Sequence, residues 1–180
     1  MESGEKISVN GTEFDVVRLL GKGKGGYSYL SERGGNLFVV KQIHHEPCAY
    51  YTFGNKIESE RRDYGRLIGA GITVPKMLGI DVQNERILKE YIEGKTIFEL
   101  VKDDRMEGCY IDLVRKMAEK SRNAGMNIDY FPTNFVVREN ELFYIDYECN
   151  DYMDEWNFEN WGIKYWSKTD EFMEYVSEHK

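Results

Sequence analysis

The sequence predicts an α+β fold in which a strand-rich N-terminal half precedes a helix-rich C-terminal half. Up to residue 91, short runs of β-branched and aromatic residues alternate with glycine-containing turns, which is typical of an antiparallel sheet. Farther along, the stretch 108–123 repeats apolar residues at helical spacing. With 180 residues and 41% hydrophobic content, the chain predicts one globular domain with an adequate core.

We expect six segments to form the strands of the N-terminal sheet. The first two flank Asn10-Gly11, which is a strong signal for a hairpin turn. The six segments are residues 7–9, 14–17, 27–30, 37–43, 77–81 and 86–91. In the C-terminal part we expect helices at 96–102 and 108–123, and a small hairpin formed by 135–137 and 142–145.

A glycine-rich turn follows the second predicted strand. Gly21, Gly23 and Gly26 form the pattern G-x-G-x-x-G, which lets backbone N–H groups approach phosphates because no Cβ stands in the way. A dinucleotide-binding fold needs a helix that opens at these glycines, whereas the pattern over 27–31 indicates a strand. The glycines therefore favour a phosphate-binding hairpin, and an ordinary glycine-rich turn is the alternative.

A lysine and a glutamate form the next candidate pair. Lys41 lies in the fourth predicted strand, and Glu60 lies in a predicted helix over 55–69. Glu60 shares one face of that helix with apolar residues, namely Ile57, Tyr64, Leu67 and Ile68. Because unpaired burial of a charge is costly, we expect Glu60 to contact Lys41. Glu58 is the substitute if the helix is rotated, and solvent-exposed charges are the alternative.

Asp129, Asn134 and Asp146 complete the candidate chemistry. They form the pattern D-x-x-x-x-N, followed by a strand and a second aspartate. Transfer of a phosphoryl group from ATP needs a base near the acceptor hydroxyl and oxygen ligands that hold Mg²⁺, and these three side chains supply both. Taken alone, the pattern also fits an aspartate-capped turn before a hairpin.

Together, these features occur in the order found in the protein-kinase-like superfamily, which the chain resembles from about residue 14 to about residue 166. The resemblance implies a two-lobed minimal protein-kinase-like fold. In it, an antiparallel N-lobe sheet with one helix spans about 1–91, and a reduced, mostly helical C-lobe spans about 92–180. It also implies ATP and Mg²⁺ as cofactors. The implied roles are phosphate binding for Lys41 with Glu60, catalytic base for Asp129, and metal binding for Asn134 and Asp146.

Two further segments resemble compact, atypical members of that superfamily. Residues 71–75 and 88–95 are similar to a run shared by aminoglycoside phosphotransferases, RIO-type kinases and the small kinase of the tRNA threonylcarbamoylation machinery. The similarity implies that the backbone of Glu90 and Ile92 binds adenine. Asn127 departs from the pattern, because these families have histidine two residues before the catalytic aspartate. Its amide can hydrogen-bond the loop instead.

The acceptor stays open. No A-P-E motif follows Asp146, so an activation segment like that of regulated protein kinases is not expected. The short remainder of the chain also leaves little room for peptide-binding helices. A serine or threonine of a protein is the preferred acceptor. A small-molecule hydroxyl is the first alternative, and a pseudokinase scaffold that binds nucleotide without turnover is the second.

Charge and composition restrict the partners. A net charge of −8 disfavours direct contact with nucleic acid. No apolar run long enough to span a bilayer and no signal-peptide pattern are present, so we expect a cytoplasmic protein without membrane contact. Cys48, Cys109 and Cys149 form no C-x-x-C pair, and neither a disulfide framework nor a zinc site is expected.

The C-terminal tail is rich in aromatic residues. Trp156, Trp161 and Trp166 are all the tryptophans of the chain, and we expect them to fill the core of the C-lobe. The alternative is a surface for a protein partner or a dimer, since aromatic residues concentrate in interfaces.

Overall fold

The computed structural model describes residues 1–46 and 55–180, and it confirms the predicted α+β class. The described chain divides into two compact units. The first unit consists of residues 1–62 and 75–91, and the second of residues 63–74 and 92–180. Residues 63–74, which the sequence places in the N-lobe, thus belong to the second unit. Cys48 lies outside the described residues.

The first unit is built on a six-stranded antiparallel sheet. The strands are β1 Lys6–Val9, β2 Thr12–Lys22, β3 Gly26–Arg33, β4 Asn36–Ile43, β5 Met77–Asp81 and β6 Arg86–Glu90. Their order in the sheet is β1-β2-β3-β4-β6-β5. Every predicted strand is present. β2 runs farther than predicted because register shifts after Val16 and after Leu19 let it stay paired with β3.

The two edges of this sheet are linked by hydrogen bonds. The Asn10 backbone N–H donates to the Asp81 carboxylate at 2.9 Å, and the Asn10 side chain donates to the Ile80 carbonyl at 2.9 Å. Asp81 is buried and also accepts the side-chain amide of Asn84 at 2.9 Å. The hydrogen bond from the Asn84 side chain, followed by that from the Asn10 backbone, lowers the pKa of Asp81 below its ordinary value. The sheet is therefore curled, with a core that includes Ile7, Phe14 and Val40.

Helix α1 (Lys56–Ala70) begins in the first unit and ends in the second. Ile57 and Leu67 are buried as predicted. The prediction for Ile68 is wrong, since its side chain is 52% exposed. Neighbouring positions on a helix point about 100° apart, so Ile68 turns away when Leu67 faces inward.

The second unit combines helices with short strand pairs. Its elements are β7 Lys95–Thr96, α2 Ile97–Lys102, α3 Gly108–Asn123, β8 Met126–Ile128, β9 Phe135–Arg138, β10 Glu141–Tyr144, β11 Cys149–Asp151 and α4 Asp170–Glu178. Thr96 and Glu99 form a capping box at the start of α2. Gly125, with φ 71°, follows the end of α3. β7, β8, β11 and α4 are not predicted by the sequence.

The aromatic tail fills the core only in part. Trp166 is buried and packs against Phe135 and Phe158, with ring centroids 5.1 and 5.5 Å away. Trp156 is 49% exposed and touches Trp161 at 5.8 Å. The prediction that all three tryptophans lie in the core is therefore wrong for Trp156. Among residues 1–46 and 55–180, no helix is long and apolar enough to cross a bilayer.

Candidate active site

The glycine-rich turn lies between β2 and β3. Gly21 is the penultimate residue of β2, opposite Ser28, and the Gly23 N–H donates to the Gly26 carbonyl at 2.9 Å. A Cβ on Gly26 would lie 2.5 Å from the Gln42 carbonyl oxygen, so close pairing of β3 with β4 requires glycine there. A Cβ on Gly21 would meet nothing within 4 Å. Packing therefore explains Gly26 and not Gly21.

The side chains of Lys56 and His44 bind backbone carbonyls of the turn and of its neighbourhood. Lys56 is buried, and its ammonium donates to the carbonyls of His44, Lys24 (3.4 Å) and Gly25 (3.5 Å). The His44 backbone N–H donates to the Gly25 carbonyl at 3.1 Å, and the His44 ring Nε2 lies 2.9 Å from the Gly23 carbonyl. Sequence reasoning missed Lys56, because a lysine at the start of a helix normally faces solvent.

Lys41 and Glu60 form an ion pair in the first unit. Their side chains are 13% and 14% exposed, so the contact predicted from the helical face is present. A Cβ on Gly25 would lie 3.9 Å from the Lys41 Nζ, which places the ammonium beside the glycine-rich turn. Glu58, the substitute, instead pairs with Arg61 at 3.2 Å on an exposed face. The second carboxylate oxygen of Glu60 meets no hydrogen-bond partner within the described part of the chain.

Asp129 caps its own loop in the second unit. Its carboxylate accepts the Phe131 N–H at 3.1 Å, and its backbone carbonyl accepts the Asn134 side-chain amide at 3.3 Å. Its backbone N–H donates to the Tyr144 hydroxyl at 3.1 Å. The aspartate-capped turn that the sequence offers as an alternative is therefore present, and it fixes the orientation of the carboxylate.

Asp146 follows β10 and lies close in the fold to Asn134. The Ile145 N–H donates to the Asn134 carbonyl at 2.9 Å, so the residue before Asp146 is bonded to the loop of Asp129. The Asp146 carboxylate accepts the Tyr147 N–H at 2.8 Å. The amide and carboxylate oxygens of Asn134 and Asp146 are hard ligands of the kind that Mg²⁺ prefers. This donor set fits the metal that the sequence predicts.

Asn127 lies in β8, and its side chain contacts the tail and not the loop of Asp129, which the sequence predicts as its partner. Its side-chain amide donates to the Met153 carbonyl at 2.9 Å. Its amide oxygen has no hydrogen-bond partner in the described ranges. The residue that replaces the family histidine therefore contacts the tail.

The aromatic tail packs behind the loop of Asp129. The Trp166 indole N–H donates to the Tyr130 carbonyl at 2.7 Å. Gly162 lies so close that a Cβ there would be 2.6 Å from the Tyr130 Cβ. Burial raises the pKa of Tyr130 to about 12. The ring of Phe131 contacts Tyr175 of α4 at 4.7 Å. Sequence reasoning missed this support, although the aromatic density of the tail is its signal.

Glu90 and Ile92 lie on either side of the division between the units. The Glu90 N–H donates to the Lys76 carbonyl at 2.9 Å, and its carboxylate accepts the Lys76 N–H at 3.1 Å. Ile92 is buried in a cluster with Val136 and Phe143. Their contact with adenine stays a prediction.

Comparison with known proteins identifies the fold. No protein-family model matches the chain. It is similar to the crystal structure of the BubR1 kinase domain, with a TM-score of 0.59 and 16% identity over 86% of this chain and 53% of that one. It is also 27% identical over 157 residues to the EKC/KEOPS complex subunit bud32 of Dictyostelium discoideum. The likeness to the BubR1 kinase domain shows that the chain has a protein-kinase-like fold.

Two further relatives match shorter segments of the chain. The KEOPS complex subunit Bud32 of Pyrococcus abyssi is 26% identical over 88 residues, which cover 47% of this chain and 40% of that protein. A probable bifunctional tRNA threonylcarbamoyladenosine biosynthesis protein of Methanococcus vannielii is 29% identical over 85 residues, 46% of this chain and 15% of that protein. The Dictyostelium match covers 78% of this chain and 62% of the relative. The chain thus spans less than two thirds of the length of these relatives.

Two names bear on the expected partners. The Pyrococcus and Dictyostelium relatives are named as subunits of a complex. The Methanococcus relative is named for tRNA modification, which conflicts in part with the expected absence of nucleic acid.

Proposed function

We propose that the chain is an ATP- and Mg²⁺-dependent phosphotransferase that moves the γ-phosphoryl group to a hydroxyl. The observation that carries this proposal is the largely buried ion pair between Lys41 and Glu60. A buried pair contributes little to stability once the desolvation of both charges is counted. A function for the pair, namely holding the ammonium ready for phosphate oxygens, is the better explanation.

We assign the residues of the first unit to the triphosphate. Lys41 contacts the α- and β-phosphates, and Glu60 keeps the ammonium in place. The glycine-rich turn of Gly21, Gly23 and Gly26 offers backbone N–H groups, while Lys56 and His44 hold its carbonyls away from them. This division of donors and acceptors suits an anion.

We assign the residues of the second unit to the metal and the acceptor. Asn134 and Asp146 would hold Mg²⁺, which would neutralise negative charge on the phosphates. Asp129 accepts the proton of the acceptor hydroxyl, a contribution of about 10²- to 10⁴-fold in rate for general bases. The backbone of Glu90 and Ile92 binds adenine.

A serine or threonine hydroxyl of a protein is the proposed acceptor. The support is that relatives are named as complex subunits, since a partner within a complex can dock a protein substrate. A small-molecule hydroxyl is the second candidate, favoured by Pro132 two residues before Asn134 in the loop. A scaffold without turnover is the third, favoured by Asn127, which is bonded to Met153.

The exposed part of the tail is the proposed contact with that partner. Met153 and Trp156 are 51% and 49% exposed and Trp161 is half-buried, and exposed tryptophans are frequent anchors of protein interfaces. Trp156→Ser should weaken co-purification of partner proteins while leaving the ATP affinity of the isolated chain unchanged.

Labelling of a cell extract tests the proposed reaction. Purified protein is incubated with Mg²⁺, γ-labelled ATP and cytosolic extract separated by size, with Asp129→Ala as the control. Label in the large fraction that disappears with the variant supports a protein kinase. Label confined to the small fraction supports a small-molecule kinase, and no variant-sensitive label in either fraction supports the scaffold.

A further inference from the structure

Tyr144, the last residue of β10, connects two loops through one hydroxyl group. Its side chain is fully buried. The hydroxyl accepts the Asp129 backbone N–H at 3.1 Å and donates to the Glu148 carbonyl at 2.7 Å. Both lengths are those of good hydrogen bonds.

The two backbone groups belong to the segments that carry the candidate carboxylates. One is the amide of Asp129 itself, and the other is the carbonyl two residues after Asp146. A tyrosine ring is rigid and has only two side-chain torsions, so a hydroxyl bonded on both sides fixes the distance between these segments. Van der Waals packing of a buried phenylalanine would leave the same space filled and both backbone groups without this partner.

The hydroxyl of Tyr144 must be the donor toward Glu148, because a carbonyl oxygen can only accept a hydrogen bond. Burial, followed by the nearby Asp146 carboxylate, raises the pKa of Tyr144 well above its ordinary value.

Two other polar contacts in the described part of the chain join different groups. Asn127, which the sequence predicts as a bonding partner of the loop, donates to Met153. The bond from the Ile145 N–H to the Asn134 carbonyl joins the far end of the loop. Of these three contacts, that of Tyr144 is the one made with the backbone at the near end.

We infer that Tyr144 is a positioning residue that holds the Asp129 backbone in register with the segment after Asp146 during phosphoryl transfer. The inference rests on the proposed function and deepens it. Misplacement of a reacting group by about 1 Å can cost about 100-fold in rate. Because the Asn134 to Ile145 bond persists, we expect a smaller loss, about tenfold, when the hydroxyl is removed.

The test compares Tyr144→Phe with Tyr110→Phe. Tyr110 lies in α3, is 8% exposed and has a pKa that burial also raises, so it matches Tyr144 as a buried phenol outside the two loops. Three quantities are measured for each protein: kcat, KM for ATP, and the hydrogen-exchange rate of the Asp129 amide. Loss of a purely structural hydrogen bond would also speed exchange at the Asp129 amide, but it would not lower kcat while KM for ATP stays unchanged.

For Tyr144→Phe we expect faster exchange at the Asp129 amide and a kcat about tenfold lower, with KM for ATP close to wild type. Tyr110→Phe should match the wild type in all three. A Tyr144→Phe protein with wild-type exchange or wild-type kcat would overturn the inference. Wild-type protein without any turnover would overturn the proposed function, whereas the exchange measurement still decides whether the tyrosine holds the loop.

Discussion

The candidate residues of the two units are held in place by different kinds of interaction. In the first unit, Lys41 and Glu60 are 19 positions apart and depend on each other's charge. In the second unit, the carboxylates of Asp129 and Asp146 accept backbone N–H groups from Phe131 and Tyr147, two positions and one position away. The first arrangement is a charge pair between residues far apart in the chain. The second consists of local turns, against which the aromatic tail packs.

The difference predicts different costs of mutation. Removal of one partner of a buried ion pair leaves an uncompensated charge and destabilises the fold. Exchange of an aspartate for asparagine in a local turn keeps the oxygen that accepts the backbone N–H, so stability should change little. Variants of the first unit should thus lose stability together with activity, and variants of the second should lose activity alone.

Asp146→Asn provides the largest expected effect. The variant keeps an oxygen for the Tyr147 N–H but loses the charge that we propose holds Mg²⁺, so metal-dependent transfer should be abolished while the melting temperature stays close to wild type. Asp151→Asn, at a side chain that is 96% exposed, is the control for removal of a nearby negative charge. Steady-state assays with labelled ATP and thermal unfolding measure both properties, and wild-type turnover by Asp146→Asn would contradict the assignment.

Asp129→Asn should lower kcat by about 10²- to 10⁴-fold, because the loop keeps its cap but loses the base. The free energy of unfolding should change much less than the activity, because asparagine keeps an oxygen for the Phe131 N–H. Denaturant titration alongside the assay checks this. A loss of stability as large as the loss of activity would show that Asp129 is a structural cap.

Lys41→Met tests the charge pair of the first unit. It should cost about 3 kcal/mol of unfolding free energy, because Glu60 is left largely buried without its partner. The double variant Lys41→Met/Glu60→Met should recover most of that stability and none of the activity. The exposed pair of Lys6 and Asp15 is the control, for which Lys6→Met should leave the stability nearly unchanged. Full stability of Lys41→Met would contradict a charge-dependent first unit.

Trp166→Phe tests the support behind the loop. Loss of the indole N–H leaves the buried Tyr130 carbonyl without this donor and should cost about 1–3 kcal/mol. Trp156→Phe removes the same group from an exposed ring and should change stability by less than about 0.5 kcal/mol. Equal effects of the two variants in chemical denaturation would mean that the tail does not support the loop.

Asp81 gives the smallest expected effect, which depends on pH. Its pKa is lower in the folded protein than in the unfolded chain, so its stabilising contribution is present above the unfolded pKa of about 3.9 and is lost as the pH falls through the folded value. Asp81→Asn should be less stable than wild type at pH 7, and the difference should shrink below about pH 4. Unfolding curves at several pH values measure it, and a difference that is constant with pH would exclude the carboxylate as its cause.

The sequence predicts well where local signals decide. The six strands of the sheet, α3 and the contact of Lys41 with Glu60 follow from turn dipeptides and from apolar spacing. It predicts poorly where distant contacts decide. β8 and β11 are three residues each and exist through their mutual pairing, and the buried position of Lys56 depends on carbonyls of the glycine-rich turn. The roles of Tyr144 and Trp166 likewise depend on hydrogen bonds to Asp129 and Tyr130, which lie 15 and 36 positions away.

The central claim is that this chain uses Mg·ATP. The most direct test is titration with ATP, with and without Mg²⁺, of the wild-type protein and of Asp146→Asn. We predict that wild type binds ATP and that Mg²⁺ tightens the binding, whereas Asp146→Asn binds ATP with an affinity that Mg²⁺ does not change. An affinity of wild type that is equally independent of Mg²⁺, or no binding of ATP at all, would contradict the claim.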